Sequence, residues 1–355
     1  MTQTSTPKIA TVVGARPQFI KAGPVSRAFR DAGIEELLIH TGQHFDEGMS
    51  DVFFEQLGLS APDHNLGISG GGHGDMTGRM LIALEPVLTK AKPDGLLIYG
   101  DTNSTLAGAL VAAKLGIPIF HVEAGLRSFR RTQPEEINRR VADHMSDLLF
   151  CPTPVAIDNL AKEGVTRGVM LVGDVMYDAA LQAAERTEGT DIVQRLNLTP
   201  GTYEVATVHR AENTDDDAAL EKVVGFLKAR PGTVVLPLHP RTKAALARAG
   251  LTLDGITVIE PLGYLEMTHL VKSSAGVLTD SGGLQKEAYF HRVPCITLRD
   301  ETEWVETVDA GWNRLWQSPA QDTPRRDIEA YGDGNAAMRI AQTIKAYFAG
   351  DIGTA

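Results

Sequence analysis

The chain of 355 residues has only two cysteines, Cys151 and Cys295, and no Cys-x-x-Cys or His-rich spacing. Each cysteine lies in an apolar run, where a thiol packs as a small hydrophobe. A structural zinc site is therefore not expected, and no metal is. An excess of basic residues is also missing. The formal charge is −11, which argues against a nucleic-acid partner. No apolar run is long enough to span a bilayer, and the first seven residues, MTQTSTP, lack an apolar signal core. A soluble, cytoplasmic protein with no membrane partner is expected. Two fingerprints are absent as well. Neither half of the chain has a G-x-G-x-x-G after its first strand, and no G-x-x-x-x-G-K-[ST] occurs. No nicotinamide or flavin is expected, and no cofactor.

What is present is an ordinary globular composition, 43% hydrophobic and 22% charged, in a chain long enough for two domains. Apolar strand-like runs at 8–13, 37–41, 95–100, 117–122, 148–151 and 169–172 alternate with helix-like segments, among them 76–92, 103–115, 134–146 and 154–163. The strands are apolar throughout rather than alternating, which predicts a parallel sheet covered on both faces. Residues 176–200 read as a long helix and a polar connection. A second series of the same kind then begins at Tyr203. The expected fold class is α/β, with two doubly wound Rossmann-like domains facing a cleft and a boundary near 174–180. The segment 335–350 reads as an amphipathic helix with Met338, Ile340, Ala341, Ile344 and Phe348 on one side, able to pack on either domain. The Gly-rich stretch GISGGGHGD, 67–75, is a mobile flap or a plain connection.

Five segments fall at predicted strand ends, where ligands bind in such folds. They are GARPQFIK (14–21), GDTNST (100–105), HVEAGLRS with PEEINR (121–139), TVHRAEN (207–213) and TDSGGLQKE (279–287). The stretch 121–140 holds three carboxylates and five arginines. Asp101, Glu123 and Glu135 are candidate acid/base groups. Arg16, Lys21 and His209 are candidates to neutralise phosphate. Ser281, Gly282 and Gly283 open a helix whose N–H groups suit a diphosphate, with Glu287 one turn on for ribose hydroxyls. A cleft between two such domains, without the dinucleotide and P-loop fingerprints, suggests a nucleotide-sugar site.

These motifs resemble the non-hydrolysing UDP-N-acetylglucosamine 2-epimerases, from Lys8 to about Phe348 and including the tail YGDGNAAMRI (331–340). The resemblance implies a fold similar to the two-domain GT-B glycosyltransferases. Its domains would be 1–174, joined by the returning helix 336–352, and 175–335. It implies a homodimer and a UDP-sugar as substrate. It also implies inversion of C2 of UDP-GlcNAc to UDP-ManNAc, by elimination of UDP to a 2-acetamidoglucal and re-addition. Asp101, Glu123, Glu135 and His209 correspond to the catalytic set. Arg16, Lys21, Arg127, Arg139, Ser281, Gly282, Gly283 and Glu287 correspond to substrate-binding positions, with Arg127 and Arg139 as orienters of Glu123 and Glu135. Gln43, Glu136, Arg210 and His239 correspond to an activator site. The sequence departs from the family around that site, with Gly70-Gly71-Gly72-His73 after LGIS and Ala211 in HRAE. Trp304 and Leu262 depart near the nucleotide. The short segment SFRRTQ also resembles enzymes acting on UDP-2,3-diacetamido-glucuronate, since Arg130 and Arg131 suit a substrate carboxylate. A GT-B glycosyltransferase is the alternative from another class.

Overall fold

The computed structural model describes residues 6–43, 51–319 and 323–351. The chain divides into two compact units, Met1–Ala179 with Glu329–Ala355, and Ala180–Ile328.

In the first unit, strands β1 (Lys8–Val13), β2 (Glu35–His40), β3 (His64–Asn65), β4 (Gly95–Tyr99), β5 (Ile119–Val122), β6 (Leu148–Cys151) and β7 (Val169–Leu171) form one sheet. Their order is β3-β2-β1-β4-β5-β6-β7, and all neighbours are parallel. β4, β5 and β6 are buried at every position, as an apolar run with no polar face requires. Val12, Ile39, Leu96 and Ile98 meet Leu84 and Leu88 from the helix His73–Ala91 and Ala109 and Ala112 from the helix Asn103–Leu115 in one core. The latter helix is started by Thr102, whose side chain accepts from the Thr105 amide. It is stopped by Gly116 at φ 67°, a left-handed turn suited to glycine.

The chain re-enters this unit at Glu329, before the helix Ala336–Ala349. The amides of Ala336 and Ala337 donate to the buried Asp178 carboxylate at 3.2 and 2.9 Å. This is a carboxylate cap placed at the positive helix end. Ile340, Ala341 and Ile344 are buried, and Phe120 stands edge-on to Tyr347 and Phe348. Met338, expected on the same stripe, is off it and 47% exposed.

In the second unit, β8 (Tyr203–Thr207), β9 (Thr233–Pro237), β10 (Thr257–Ile259), β11 (Gly276–Thr279), β12 (Cys295–Thr297) and β13 (Asn313–Leu315) form a parallel sheet in the order β10-β9-β8-β11-β12-β13. The stretch 176–200, expected as a long helix and then a polar connection, holds one helix of 12 residues followed by shorter pieces. A helix Val175–Arg186 gives way to a 3-10 turn, Thr187–Gly189, and a short helix, Ile192–Arg195. Thr187 turns its hydroxyl back onto the Ala184 carbonyl at 2.8 Å, a local bond that competes with helix continuation.

In both parallel sheets the strand order reverses once, between β1 and β4 and between β8 and β11. Each is thus a doubly wound, Rossmann-like sheet with its ligand-binding switch point at those carboxyl ends. Both cysteines are buried, and burial pushes their thiols up to about 12. Among the described residues, no helix is long and apolar enough to cross a membrane.

Candidate active site

In the first unit the site starts with the loop after β1. Gly14 lies so close to Ser104 and Thr41 that a Cβ would collide with their hydroxyls. Gln18 fixes this loop from both sides. Its Oε1 accepts from the amides of Gly14 and Ala15, and its Nε2 donates to the Tyr99 carbonyl and to Thr105 Oγ1, all within 3.0 Å. The helix Arg16–Ala32 begins here, so Arg16 sits at its first position and Lys21 just over one turn on.

Lys21 forms an ion pair with Glu123, both largely buried. Glu123 follows β5 at φ 69°, a conformation costly for a side chain and characteristic of functional turns. Across the switch point, Gly100 ends β4 at φ 58°, where a Cβ would lie 3.1 Å from Glu123 Oε2. Asp101 follows and pairs with Arg139 at 2.5 Å. Burial pushes the Asp101 carboxyl above its usual range. Arg139 opposes this, Glu123 adds to it and Lys21 opposes it. Asp101, Glu123, Lys21 and Arg139 are therefore one electrostatic cluster. Glu135 stands exposed in the first turn of the helix Pro134–Met145.

Two of the other expected residues have different surroundings. The Arg127 side chain is fully buried. It pairs with Asp143 at 2.7 Å and with Glu163 through two bonds of 2.9 Å. Neither is Glu123 or Glu135, the carboxylates that Arg127 and Arg139 were expected to orient, and Arg139 likewise pairs with Asp101 and Glu136. Burial alone would raise the Asp143 carboxyl, but His121 and Arg127 outweigh it and hold the group below the usual range. The Arg127 hydrogen bond, with Arg140, holds Glu163 down at about 2. Glu136, an activator-site candidate, is buried and organises the SFRRTQ segment. It accepts from the Ser128 amide and hydroxyl, the Phe129 amide and Arg139. Against the upward push of burial, these donors keep its carboxyl below the ordinary range. Arg130 and Arg131 remain exposed. Gln43 accepts from the Ser104 amide and hydroxyl at the start of the helix Asn103–Leu115. In the Gly-rich stretch, the carbonyls of Ser69 and Gly70 accept from Arg79, which also pairs with Asp75.

In the second unit, Ser281 caps the helix Gly282–Phe290, accepting from the Leu284 amide at 3.4 Å. Its first two residues are glycine, Gly282 buried and Gly283 exposed, and a helix N-terminus of this kind suits an anion. Asp280 is fully buried. It accepts from the amides of His209 and Arg210 and from Asn213 Nδ2 at 2.9–3.1 Å, tying the loop after β8 to the end of β11. Burial lowers the proton affinity of His209. Asp280 opposes this and His239, its ring 5.5 Å away, adds to it. Glu287 is half-buried on the next turn. Arg210 and His239 belong to this unit, and Gln43 and Glu136 to the first.

A family model described as UDP-N-acetylglucosamine 2-epimerase matches residues 27–345. The chain belongs to that family. Among similar proteins, the UDP-2,3-diacetamido-2,3-dideoxy-D-glucuronate 2-epimerase of Pseudomonas aeruginosa is 52% identical over 95% of this chain and 99% of its own. A UDP-N-acetylglucosamine 2-epimerase homolog of Methanococcus maripaludis is 47% identical over 95% and 99%. The crystal structure of Methanocaldococcus jannaschii UDP-GlcNAc 2-epimerase with UDP-GlcNAc and UDP matches with a TM-score of 0.84 at 41% identity, covering 95% of this chain and 99% of that one. The GT-B-type epimerase fold, with two Rossmann-like domains, follows.

Within this epimerase family member, sequence reasoning missed Gln18, His121, Asp143, Glu163 and Asp280. Asp280 and His121 stand inside motifs already singled out, and the signal was a polar residue in an otherwise apolar strand end. Asp143 and Glu163 carry no local signal. They are recognisable only once Arg127 is seen to be buried and in need of partners.

Proposed function

We propose that this protein is a non-hydrolysing 2-epimerase of a UDP-2-acetamido sugar, with UDP-GlcNAc giving UDP-ManNAc as the expected conversion. The observation that carries the reading is the pair Asp101 and Glu123 on neighbouring strand ends, each with its own cation, Arg139 and Lys21. A C2–H beside no carbonyl is a very weak acid. As the C1–O bond to UDP breaks, C1 gains positive charge and acidifies that hydrogen. One group takes the C2 proton, UDP departs and a 2-acetamidoglucal forms. UDP oxygen then re-adds to C1 while a proton reaches C2 from the opposite face. Two acid/base groups on neighbouring strand ends suit the two faces. Asp101, raised by burial, is matched to holding a proton nearer neutral pH than a free carboxylate. Glu135 is the third carboxylate of the set. In the second unit, His209 and the amides of Ser281–Gly283 suit a diphosphate, and Glu287 suits the ribose.

A second reading is favoured by a specific observation. The relative at 52% identity acts on the diacetamido-glucuronate, and Arg130 and Arg131 present two exposed cations on the loop organised by Glu136. They would pair with a uronate carboxylate. Side-by-side kcat/KM values for UDP-GlcNAc and UDP-2,3-diacetamido-2,3-dideoxy-glucuronate test this. A large preference for the uronate, lost in Arg130→Ala/Arg131→Ala, overturns the first choice of substrate. Turnover of neither removes the epimerase reading.

A further inference from the structure

His121, on β5 two residues before Glu123, is fully buried and has a partner on each ring nitrogen. Nε2 lies 2.8 Å from the Gly100 carbonyl oxygen. A carbonyl oxygen only accepts, so Nε2 carries a proton. Nδ1 lies 2.7 Å from Asp143 Oδ1. The other Asp143 oxygen accepts from Arg127 Nη1 at 2.7 Å and from the Gly125 amide at 3.2 Å. Facing a buried guanidinium, Asp143 is a carboxylate, and a carboxylate only accepts. Nδ1 therefore donates too.

The consequence lies at Gly100. Its amide donates to the Val122 carbonyl at 3.0 Å, and its own carbonyl takes the imidazole. The residue before Asp101 is thus held twice by β5, the strand that delivers Glu123. With Gly100 at φ 58° and its Cα facing Glu123 Oε2, any slip of this turn moves Asp101 and crowds Glu123 together.

We propose that His121 is a positioning residue: a two-ended hydrogen-bond donor that clamps the Gly100 turn to β5 and so sets the spacing of Asp101 and Glu123. Asp143 and Arg127 hold the ring from behind. The proposal rests on the assignment of Asp101 and Glu123 as the acid/base pair.

The test is His121→Gln, whose amide reaches one partner at a time. The clamp predicts a folded variant with UDP affinity and KM within about twofold of wild type, and kcat lower by about 100-fold, the order of loss for a 1 Å misplacement of reacting groups. Deuterium uptake at C2 in D2O falls by the same factor. A folded His121→Gln with kcat within threefold of wild type overturns the clamp, while Asp101→Asn and Glu123→Gln remain inactive in the same assay. If those two variants keep full C2 exchange, it is the acid/base assignment that fails instead. Should His121→Gln not fold, ¹⁵N-histidine spectra of the wild-type protein decide. The clamp requires one histidine with two slowly exchanging ring N–H protons. A protein with none contradicts it.

Discussion

Replacing Arg139 by Gln removes the cation beside Asp101 while keeping a side chain of similar length. The bond is 2.5 Å, and the two side chains are 19% and 30% exposed. A carboxylate beside an arginine is held down by about 1–3 pK units. Partial exposure screens the pair, so its effect on Asp101 lies toward the lower end of that general range. Contact Coulomb energy at an effective dielectric near 20 is ~4 kcal/mol, an upper bound consistent with this. Burial already pushes Asp101 up and Glu123 adds to it. With Arg139 gone, both act unopposed except by Lys21. The limb of the kcat/KM pH profile that belongs to Asp101 should move to higher pH. Arg139→Lys should return part of the way. Because Arg139 also touches Glu136 at 3.2 Å, KM is expected to rise, and Glu136→Gln separates that effect. A profile that does not move in Arg139→Gln refutes the claim that this pair sets the proton affinity of Asp101.

Three further outcomes follow from the geometry. Arg127→Leu strands Asp143 and Glu163 without their shared cation, and a broken buried pair costs ~3–5 kcal/mol. The melting temperature should fall on the order of 10 °C, and an unchanged Tm would show that Arg127 is not the anchor described. Asp178 is pushed up to about 6 by burial, against the Ala337 and Ala336 amides. Its protonated form favours the fold, so its stabilising contribution is complete below pH ~4 and is lost as pH rises through about 6. The stability of Asp178→Asn relative to wild type should therefore grow by ~3 kcal/mol between pH 4 and pH 8 in denaturant titrations; a flat difference removes the argument. Gly282→Ala places a Cβ 2.8 Å from Glu303 Oε1 and 3.3 Å from Trp304 Nε1 at the mouth of the helix. UDP affinity by calorimetry should drop about tenfold, ~1.4 kcal/mol, and an unaltered Kd would place the diphosphate elsewhere.

The strands were legible because a doubly covered parallel sheet needs apolar runs without alternation, and 148–151 was bounded as the structure has it. The helix 103–115 was equally clear, since Thr102 and Gly116 punctuate it. The helix read at the start of 176–200 ends earlier than a long helix would, at Arg186, before a Thr-Glu-Gly-Thr cluster. At the site, short motifs revealed which residues gather at each switch point. They did not reveal what each charge faces. Arg127 looked like an orienter of neighbouring carboxylates, yet its partners lie 16 and 36 residues further on. Glu136, read as a ligand group, braces the loop through Ser128 and Phe129. Partners of a buried charge are fixed by packing between helices, and no local pattern encodes them.

The central claim is proton exchange at C2 with UDP retained. The protein is incubated with UDP-GlcNAc, and separately with UDP-2,3-diacetamido-2,3-dideoxy-glucuronate, in D2O, and the nucleotide sugars are followed by NMR. The account predicts deuterium at C2 of the 2-epimer, with the product still joined to UDP. Epimer formed without deuterium, release of free sugar, or no change in either substrate would contradict it.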